Sequence, residues 1–225
     1  MPVDVAFTPG EAAPAAVGVV VDVLRATSTI AQALASGYER VLCCAEIEDA
    51  RALREQLPDS LLGGERQALR VEGFDVGASP REFLEAGART LILSTTNGTR
   101  AILETAQRCE RVLLGSLLNL LAVAAAAGPD DVGVVCAGFQ GGFALDDVYC
   151  AGRIVQQLGG ERTHAATAAE LLVQAFPTAL DGLEARTYGP PGLEEDIAYC
   201  AQVDLLDVVP ALTGMEGPAA EIMLR

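Results

Sequence analysis

The sequence contains no lysine and a single histidine, His164, among its 225 residues. Without lysine the chain cannot form a P-loop Gly-Lys-Ser site, a pyridoxal-phosphate Schiff base or a kinase-type lysine site. One histidine excludes zinc sites with several histidine ligands and phosphotransfer between paired histidines. A serine–histidine–acid triad would depend on His164 alone, and no Gly-x-Ser-x-Gly motif accompanies it.

Positive charge is scarce as a whole. Fifteen arginines stand against thirty-one acidic residues, which gives a net charge of −16 at pH 7. Such a chain repels nucleic acid and anionic membrane surfaces, so we expect neither as a partner. A small anionic ligand would have to be neutralised locally, by arginine, by helix N-termini or by a divalent cation.

Motifs for disulfides, secretion and membrane insertion are missing as well. The six cysteines form no Cys-x-x-Cys pair, and none has the arginine six residues later that a cysteine-phosphatase loop needs. Met1–Gly10 contains Asp4 and no basic residue, unlike a signal peptide. The longest apolar run, Val112–Gly128, is too short and too interrupted to span a membrane. We therefore predict a cytoplasmic protein with reduced cysteines.

One stretch, Val19–Ile30, organises the rest of the chain. Its β-branched residues predict a buried strand that delivers Asp22 into a cleft. Ala26–Thr29 then predict the start of a helix whose free N–H groups can hold an anion. Ligands of open α/β sheets bind at the carboxyl ends of the strands. The carboxylate, the guanidinium of Arg25 and the hydroxyls that follow therefore indicate a site for a phosphate ester with a metal ion.

The same construction occurs again at Leu91–Ile102, where an apolar strand leads into a hydroxyl-rich turn and a helix. Each unit is followed by Glu-Arg-Val-Leu, at Glu39–Leu42 and at Glu110–Leu113, an offset of 71 residues (110 − 39). We interpret the two units as related, with both helix N-termini aimed at one place. The alternative is that α/β proteins contain such units by default.

Two aspartates follow a third predicted strand end. The strand Val132–Cys136 leads through a glycine-rich turn to Asp146 and Asp147 at the start of a helix. Capping of the helix accounts for one of these carboxylates, and the second suggests a metal ligand. If the strands are parallel in one sheet, then Arg25, Asn97 and at least one of the two aspartates should line a single pocket.

Strands and helices alternate along the chain, which is typical of a sheet flanked by helices. The pattern runs from a first strand at Val3–Phe7 to a predicted terminal strand at Val203–Val209. Between them, Leu61–Arg66 and Gly73–Pro80 predict glycine-containing turns that are either functional or solvated surface loops. No linker divides the sequence, so we predict a single domain over residues 1–225.

Groups of residues spread in order over nearly the whole chain carry a resemblance to a known family. They are Val21–Ile30, Gly63–Arg66, Gly73–Asp75, Thr95–Ile102, Val135–Gly138, Leu145–Asp147 with Cys150–Gly152, and Asp196–Ile197 with Tyr199–Ala201. In this combination they resemble the 2-phosphosulfolactate phosphatases. Each motif alone is weak, but the set is specific.

The resemblance implies a three-layer α/β/α fold with a mixed, largely parallel sheet. It also implies a magnesium-dependent phosphatase that converts 2-phospho-3-sulfolactate into 3-sulfolactate and phosphate, a step towards coenzyme M. The sequence departs from the family pattern at two places. Ala78 stands where the family usually has asparagine, which removes a hydrogen-bonding group. Asp146 stands where glutamate is usual, which shortens a carboxylate by one methylene.

These considerations assign roles to named residues, with Mg²⁺ as the expected cofactor because it prefers oxygen ligands. The expected metal ligands are Asp22, Asp146 and Asp147, with Glu65 as an additional candidate. The expected catalytic residues are Asp22, Arg25 and Asp147. The expected substrate-binding residues are Thr27, Ser28, Thr29, Glu65, Arg66, Thr96, Asn97, Gly98, Thr99 and Arg100.

Alternatives stay open at this point. The chain could be a non-catalytic module that binds a phosphorylated or sulfonated acid, or a phosphatase for another small phosphorylated acid. Attack on phosphorus by water, with a metal and a carboxylate base, is preferred to attack by Asp22. Aspartyl-phosphate enzymes carry a second aspartate two residues later, where this chain has Leu24. The sequence leaves the formation of a homo-oligomer undecided.

Overall fold

The computed structural model describes residues 1–187 and 191–225. The strands in these residues are β1 (Pro2–Ala6), β2 (Ala15–Val21), β3 (Arg40–Cys43), β4 (Leu61–Arg66), β5 (Leu69–Arg70), β6 (Thr90–Ser94), β7 (Cys109–Gly115), β8 (Val132–Cys136), β9 (Glu161–Arg162), β10 (Pro210–Glu216) and β11 (Ala219–Leu224). The α-helices are α1 (Ala26–Ala35), α2 (Ile47–Gln56), α3 (Gly98–Ala106), α4 (Leu120–Ala127), α5 (Leu145–Val155), α6 (His164–Val173), α7 (Ala179–Glu184) and α8 (Glu194–Cys200).

The strands form one mixed sheet in the order β5-β4-β6-β3-β11-β10-β7-β2-β8-β1-β9. Strands β7, β2, β8 and β1 are parallel to one another, and so are β4, β6 and β3. The hairpin β10–β11 joins these two blocks. Its strand β10 pairs antiparallel with β7, and its strand β11 pairs antiparallel with β3. Three antiparallel steps separate β7 from β3, so the two blocks run in opposite directions.

Alternating side chains of the strands bury both faces of the sheet. On one face, Val20 packs in a cluster with Ile30 of α1 and Ile102 of α3. On the other face, Val19 and Val21 belong to a cluster that includes residues of α4 and α5. Helix α2 packs on strands β3, β4 and β6. The predicted three-layer α/β/α architecture with a mixed, largely parallel sheet is confirmed.

The two units predicted from the 71-residue offset are arranged reciprocally in this sheet. Helix α1 leads from β2 to β3, which lies beside β6, whereas α3 leads from β6 to β7, which lies beside β2. Each unit therefore contributes one strand to each block. This exchange brings the starts of α1 and α3 to the middle of the structure.

Two predicted elements were wrong. Leu61–Arg66 was predicted as a turn but forms β4, because its backbone pairs with β6. Val203–Val209 was predicted as a strand but lies outside the sheet. Asp204 in this segment accepts a hydrogen bond from the N–H of Leu121, and the carbonyl of Val208 accepts one from Asn119. These contacts hold the segment against the start of α4, and the terminal strands follow it.

No helix within the described residues is both long enough and apolar enough to cross a membrane.

The contact between α5 and α6 predicts a sharp stability effect at Gly152. A Cβ atom at this position would overlap the carbonyl oxygen of Ala169 on α6. Gly152→Ala should therefore push the helices apart and lower the free energy of unfolding by about 1–3 kcal/mol in urea titrations. Gly159→Ala is the matched control, because that exposed glycine has open space around it. Equal stability of the two variants would contradict the close packing of α5 against α6 at Gly152.

Candidate active site

A cavity of about 470 Å³ lies where six segments of the chain meet. The segments are the β2–α1 turn, the β4–β5 turn, the connection from β5 to β6, the β6–α3 turn, the β8–α5 loop with the start of α5, and the described residues between α7 and α8. The charged residues that line it are Asp22, Arg25, Glu65, Asp146 and Arg186. The other lining residues are Leu24, Ala26, Gln67, Ala68, Leu69, Ala78, Thr95, Thr96, Asn97, Phe139, Gln140 and Leu193.

The prediction that Arg25, Asn97 and one of the two aspartates line one cavity is confirmed, with Asp146 as the aspartate. The premise that β2 and β6 are parallel was wrong, because they belong to blocks of opposite direction. Adjacent strands rotate by roughly 20–25°, so five strand steps rotate the strand direction by roughly 100–125°. This rotation partly offsets the opposite directions of β2 and β6. The turns that follow the two strands lie close together, because a Cβ atom at Gly98 would overlap Ala26.

Asp22 follows the end of β2 and is 93% buried. Its Oδ1 atom accepts a hydrogen bond of 3.2 Å from the N–H of Ala26. Burial is the main reason that the pKa of Asp22 rises from 3.8 to about 7, and the charges of Glu65 and Asp146 add to the rise. The Ala26 hydrogen bond and the charge of Arg25 oppose it. Asp22 therefore titrates near neutral pH.

The three hydroxyl residues at the start of α1 lie outside the cavity lining, which corrects their predicted placement. Thr27, Ser28 and Thr29 are fully buried. Their hydroxyls donate to the carbonyl oxygens of Asp22, Val23 and Ala78, respectively. The N–H groups of Ala26 and Thr27 donate to Asp22 itself. The helix start thus folds back on the strand end, and Asp22 occupies the place predicted for a bound anion.

The β6–α3 turn contributes two of its five predicted residues to the cavity, Thr96 and Asn97. Gly98 packs against Ala26. The hydroxyl of Thr99 donates to the carbonyl of Thr95 at 2.8 Å. The placement predicted for Arg100 was wrong, because its exposed side chain forms an ion pair of 2.8 Å with Glu46 outside the cavity.

Thr96 carries an unsatisfied polar atom. Its Oγ1 is one of two buried side-chain oxygens without a hydrogen-bond partner in the described residues. Buried polar groups are normally hydrogen-bonded, so such an atom calls for an explanation. Thr96 lines the cavity, so this hydroxyl lies next to the space that a ligand would occupy.

Glu65 and Arg66, at the end of β4, have different positions. Glu65 lines the cavity, and its carboxylate accepts hydrogen bonds from the N–H groups of Ala68 at 2.7 Å and Thr96 at 2.8 Å. It therefore ties the β4–β5 turn to the β6–α3 turn. Arg66 points elsewhere and donates to Ser94 and to the carbonyl of Ala45, so its predicted contact with the substrate is corrected.

Asp146 and Asp147 are both buried, but they face different surroundings. Asp146 lines the cavity and accepts a hydrogen bond from the N–H of Asp147. Asp147 lies outside the lining, and its two oxygens accept from the N–H groups of Val23 and Gly138. Burial, followed by the charges of Asp146 and Asp22, raises the pKa of Asp147 well above its usual value. Asp147 was predicted to contact substrate and metal. In the structure it instead links the ends of β2 and β8 through these two hydrogen bonds.

Arg25 and Asp196 form a buried ion pair at the cavity wall, with 2.7 Å between Nη1 and Oδ2. Nη2 of Arg25 donates to the carbonyl of Ala68, and the other oxygen of Asp196 accepts from the hydroxyl of Ser79. Sequence analysis had assigned Asp196 no role, although its motif carried part of the family resemblance. Arg186 was missed entirely, because no strand-end or glycine-turn pattern surrounds it.

The donor set suits an open magnesium site better than a closed metal cage. In the part of the chain that the structure describes, no group of three or more His, Cys, Asp or Glu side chains could hold a metal ion. Mg²⁺ usually binds one or two carboxylates together with water and substrate oxygens. The cavity supplies such oxygens at Asp22, Glu65 and Asp146, and the charges of the last two raise the pKa of the first.

Comparison with known families matches residues 5–215 to the family described as 2-phosphosulpholactate phosphatase. Among curated proteins, a probable 2-phosphosulfolactate phosphatase of Gloeobacter violaceus is 42% identical over 87% of each chain. Proteins with the same name from Thermus thermophilus and Clostridium acetobutylicum are each 38% identical. These alignments cover 89% of both chains in the first case, and 88% of this chain and 90% of the relative in the second.

The raised pKa of Asp22 predicts how stability depends on pH in metal-free buffer. A carboxyl that binds its proton more tightly in the folded state stabilises the fold below pH 3.8, and this contribution is lost as pH rises to about 7. Asp22→Asn should therefore match the wild type in urea unfolding at pH 4 and exceed it at pH 8 by a few kcal/mol, roughly. Asp59→Asn, at an exposed site, serves as control. If Asp22→Asn were less stable than the wild type at pH 8, the raised pKa of Asp22 would be contradicted.

The buried ion pair predicts strong coupling between Arg25 and Asp196. Asp196→Leu leaves the buried guanidinium of Arg25 without its carboxylate and should cost about 3–5 kcal/mol in urea unfolding. Arg25→Met should cost less, because Arg81 lies 3.8 Å from Asp196 and still compensates part of its charge. The double variant should lose clearly less than the sum of the two. The exposed pair Arg89–Glu39 provides the matched cycle, and solvent screening should leave it with little coupling. Additive losses at Arg25 and Asp196 would show that the pair is not coupled.

Proposed function

Because the chain belongs to the 2-phosphosulfolactate phosphatase family, we propose that it hydrolyses 2-phospho-3-sulfolactate to 3-sulfolactate and phosphate. The observation that carries the proposal is the match to this family over residues 5–215, combined with a cavity that collects carboxylates and arginines. The reaction would belong to coenzyme M biosynthesis in the cytoplasm. The partner is a small anionic phosphate ester.

Groups on the cavity wall suit the binding of such an ester. Arg25 carries a positive charge, Asn97 offers an amide, and the unsatisfied hydroxyl of Thr96 can donate to a phosphoryl oxygen. Hydrolysis of a phosphate monoester is extremely slow unaided, and an enzyme accelerates it mainly by positioning and by stabilising charge. These three side chains would hold the ester against the carboxylates at the end of β2 and the start of α5.

Mg²⁺ is the proposed cofactor, and Asp22 and Asp146 would hold it with Glu65 nearby. When bound, the ion would supply positive charge against the developing charge on the phosphoryl oxygens. Glu65 keeps two turns in place through its hydrogen bonds with Ala68 and Thr96. Asp147 would act from behind the wall by fixing the chain at Val23 and Gly138.

Water is the proposed nucleophile. Leu24 stands where aspartyl-phosphate enzymes carry a second aspartate, so a phosphorylated Asp22 is disfavoured. A general base works best when its pKa lies near the operating pH. The cavity carboxylate that stays outside the coordination of the ion would accept the proton of the attacking water.

A related substrate is the second candidate, and one observation favours it. Ala78 lines the cavity, at the position where the family motif usually has asparagine. Alanine removes one hydrogen-bonding group from the wall, so another small phosphorylated acid could be the preferred ester. Comparison of kcat/KM for several phosphorylated hydroxy acids separates the two candidates.

The proposed activity predicts metal-dependent release of phosphate. Purified protein should release phosphate from 2-phospho-3-sulfolactate, lose this activity in EDTA, and regain it with magnesium or manganese. Asp22→Asn should lower kcat by several orders of magnitude while the fold stays intact, whereas the exposed Asp59→Asn should leave it unchanged. Full activity in EDTA would contradict the metal proposal. Binding of the ester without release of phosphate would indicate a binding module instead.

A further inference from the structure

Positive charge is in short supply at the cavity. Of the residues described as lining it, two carry a positive charge, Arg25 and Arg186, while Asp22, Glu65 and Asp146 carry carboxylates. The proposed substrate carries a phosphate, a sulfonate and a carboxylate, all of them anionic at neutral pH. The chain contains no lysine that could reach in to add charge. Each arginine at the wall therefore matters for binding.

Arg25 is largely committed to the protein itself. Its Nη1 donates to Asp196 at 2.7 Å, and its Nη2 donates to the carbonyl oxygen of Ala68 at 2.9 Å. Both side chains of the ion pair are more than nine-tenths buried. The nearby carboxylate offsets much of the charge that Arg25 presents to a ligand. A substrate with several anionic groups needs a second cation.

Arg186 follows helix α7, which ends two residues before it. Leu183 of α7 is fully buried. Gly182 lies so close to the ring of Tyr149 that a Cβ atom there would be 2.6 Å from ring carbons. Thr178 and Asp181 form a capping box at the start of the helix. These contacts hold α7 in place, and Arg186 lines the cavity two residues beyond its end.

Arg25 and Arg186 act on different neighbours. The charge of Arg25 lowers the pKa of Asp22, beside the proposed reaction centre. The pKa of Glu194 is lowered by hydrogen bonds to backbone N–H groups and, in addition, by the charge of Arg186. Glu194 is exposed and follows Leu193, which lines the cavity. Arg186 therefore lies near the start of α8, whereas Arg25 contacts Asp196 farther along the same helix.

We infer that Arg186 binds the sulfonate of the substrate, an inference that rests on the proposed function. Carbon 2 of 2-phospho-3-sulfolactate bears the phosphate and the carboxylate, whereas the sulfonate is attached to carbon 3. The sulfonate therefore reaches farther from the reacting ester than the carboxylate does. A guanidinium can donate two hydrogen bonds in parallel to such an oxyanion. Arg186 would in this way select sulfonated esters over unsulfonated ones.

The test compares two substrates that differ only at the sulfonate, 2-phospho-3-sulfolactate and 2-phospholactate. Arg186→Gln should raise KM for the sulfonated ester by roughly 10- to 100-fold, the effect of a lost charge-assisted hydrogen bond, with little change in kcat. KM for 2-phospholactate should change little. Arg186→Lys, which keeps the charge without the fork, should fall between Arg186→Gln and the wild type. Arg89→Gln is the control, because it removes the same charge from an exposed site.

An equal loss on both substrates, or no loss on either, would overturn the inference. Calorimetric binding of 3-sulfolactate separates this failure from that of the proposed function. If the wild type binds 3-sulfolactate but releases no phosphate, the phosphatase proposal fails. A Kd weakened roughly 10-fold or more in Arg186→Gln would then still support the sulfonate contact. If the wild type does not bind 3-sulfolactate, or if Arg186→Gln binds it equally well, the inference is wrong.

Discussion

The burial of carboxylates beside one another is the constraint on which the rest of this structure depends. Asp22, Asp146 and Asp147 lie within one small region, and burial together with mutual repulsion raises the pKa of Asp22 and of Asp147. Such groups stay in place only if the backbone around them is held firmly. Asp147 fixes part of this backbone by accepting hydrogen bonds from the N–H groups at two strand ends. Glu65 accepts such hydrogen bonds from two turns. The carboxylates thus act as ties within the fold and as polar groups at the cavity.

The reciprocal exchange of helices between the two strand blocks places these ties at the centre of the protein. Because α1 leads from β2 into the opposite block and α3 leads from β6 back, the two helix starts cross at close range. Gly98 allows the approach, since any larger residue would overlap Ala26. A sheet with a single strand direction would bring such turns together at one edge. Here the hairpin β10–β11 reverses the direction, and the twist of the sheet partly compensates.

Local patterns were enough to predict most of the strands and turns, although Leu61–Arg66 and Val203–Val209 were predicted wrongly, and they were enough to predict the convergence of Arg25, Asn97 and Asp146. The orientation of individual side chains was not predictable, because it depends on partners far away in sequence. Arg25 finds Asp196 after 171 residues. The hydroxyls at the start of α1 can reach either a ligand or a backbone carbonyl, and only the packed structure decides between them. Arg186 follows a short helix rather than a strand end, so no motif marked it.

The charge distribution bears on how an acidic protein would bind the acidic ester of the proposed function. A net charge of −16 disfavours the approach of any anion, so selectivity has to come from a few fixed donors in the cavity. Arginine suits this task better than lysine, because its planar fork fixes the direction of two hydrogen bonds while the charge is kept. Arg25 spends its fork on Asp196 and Ala68, and this orders the wall of the cavity. In the proposed function, recognition of the outer acid group would fall to Arg186, a second arginine from a different part of the chain. One buried guanidinium would then order the cavity wall, and the other would contribute to selectivity.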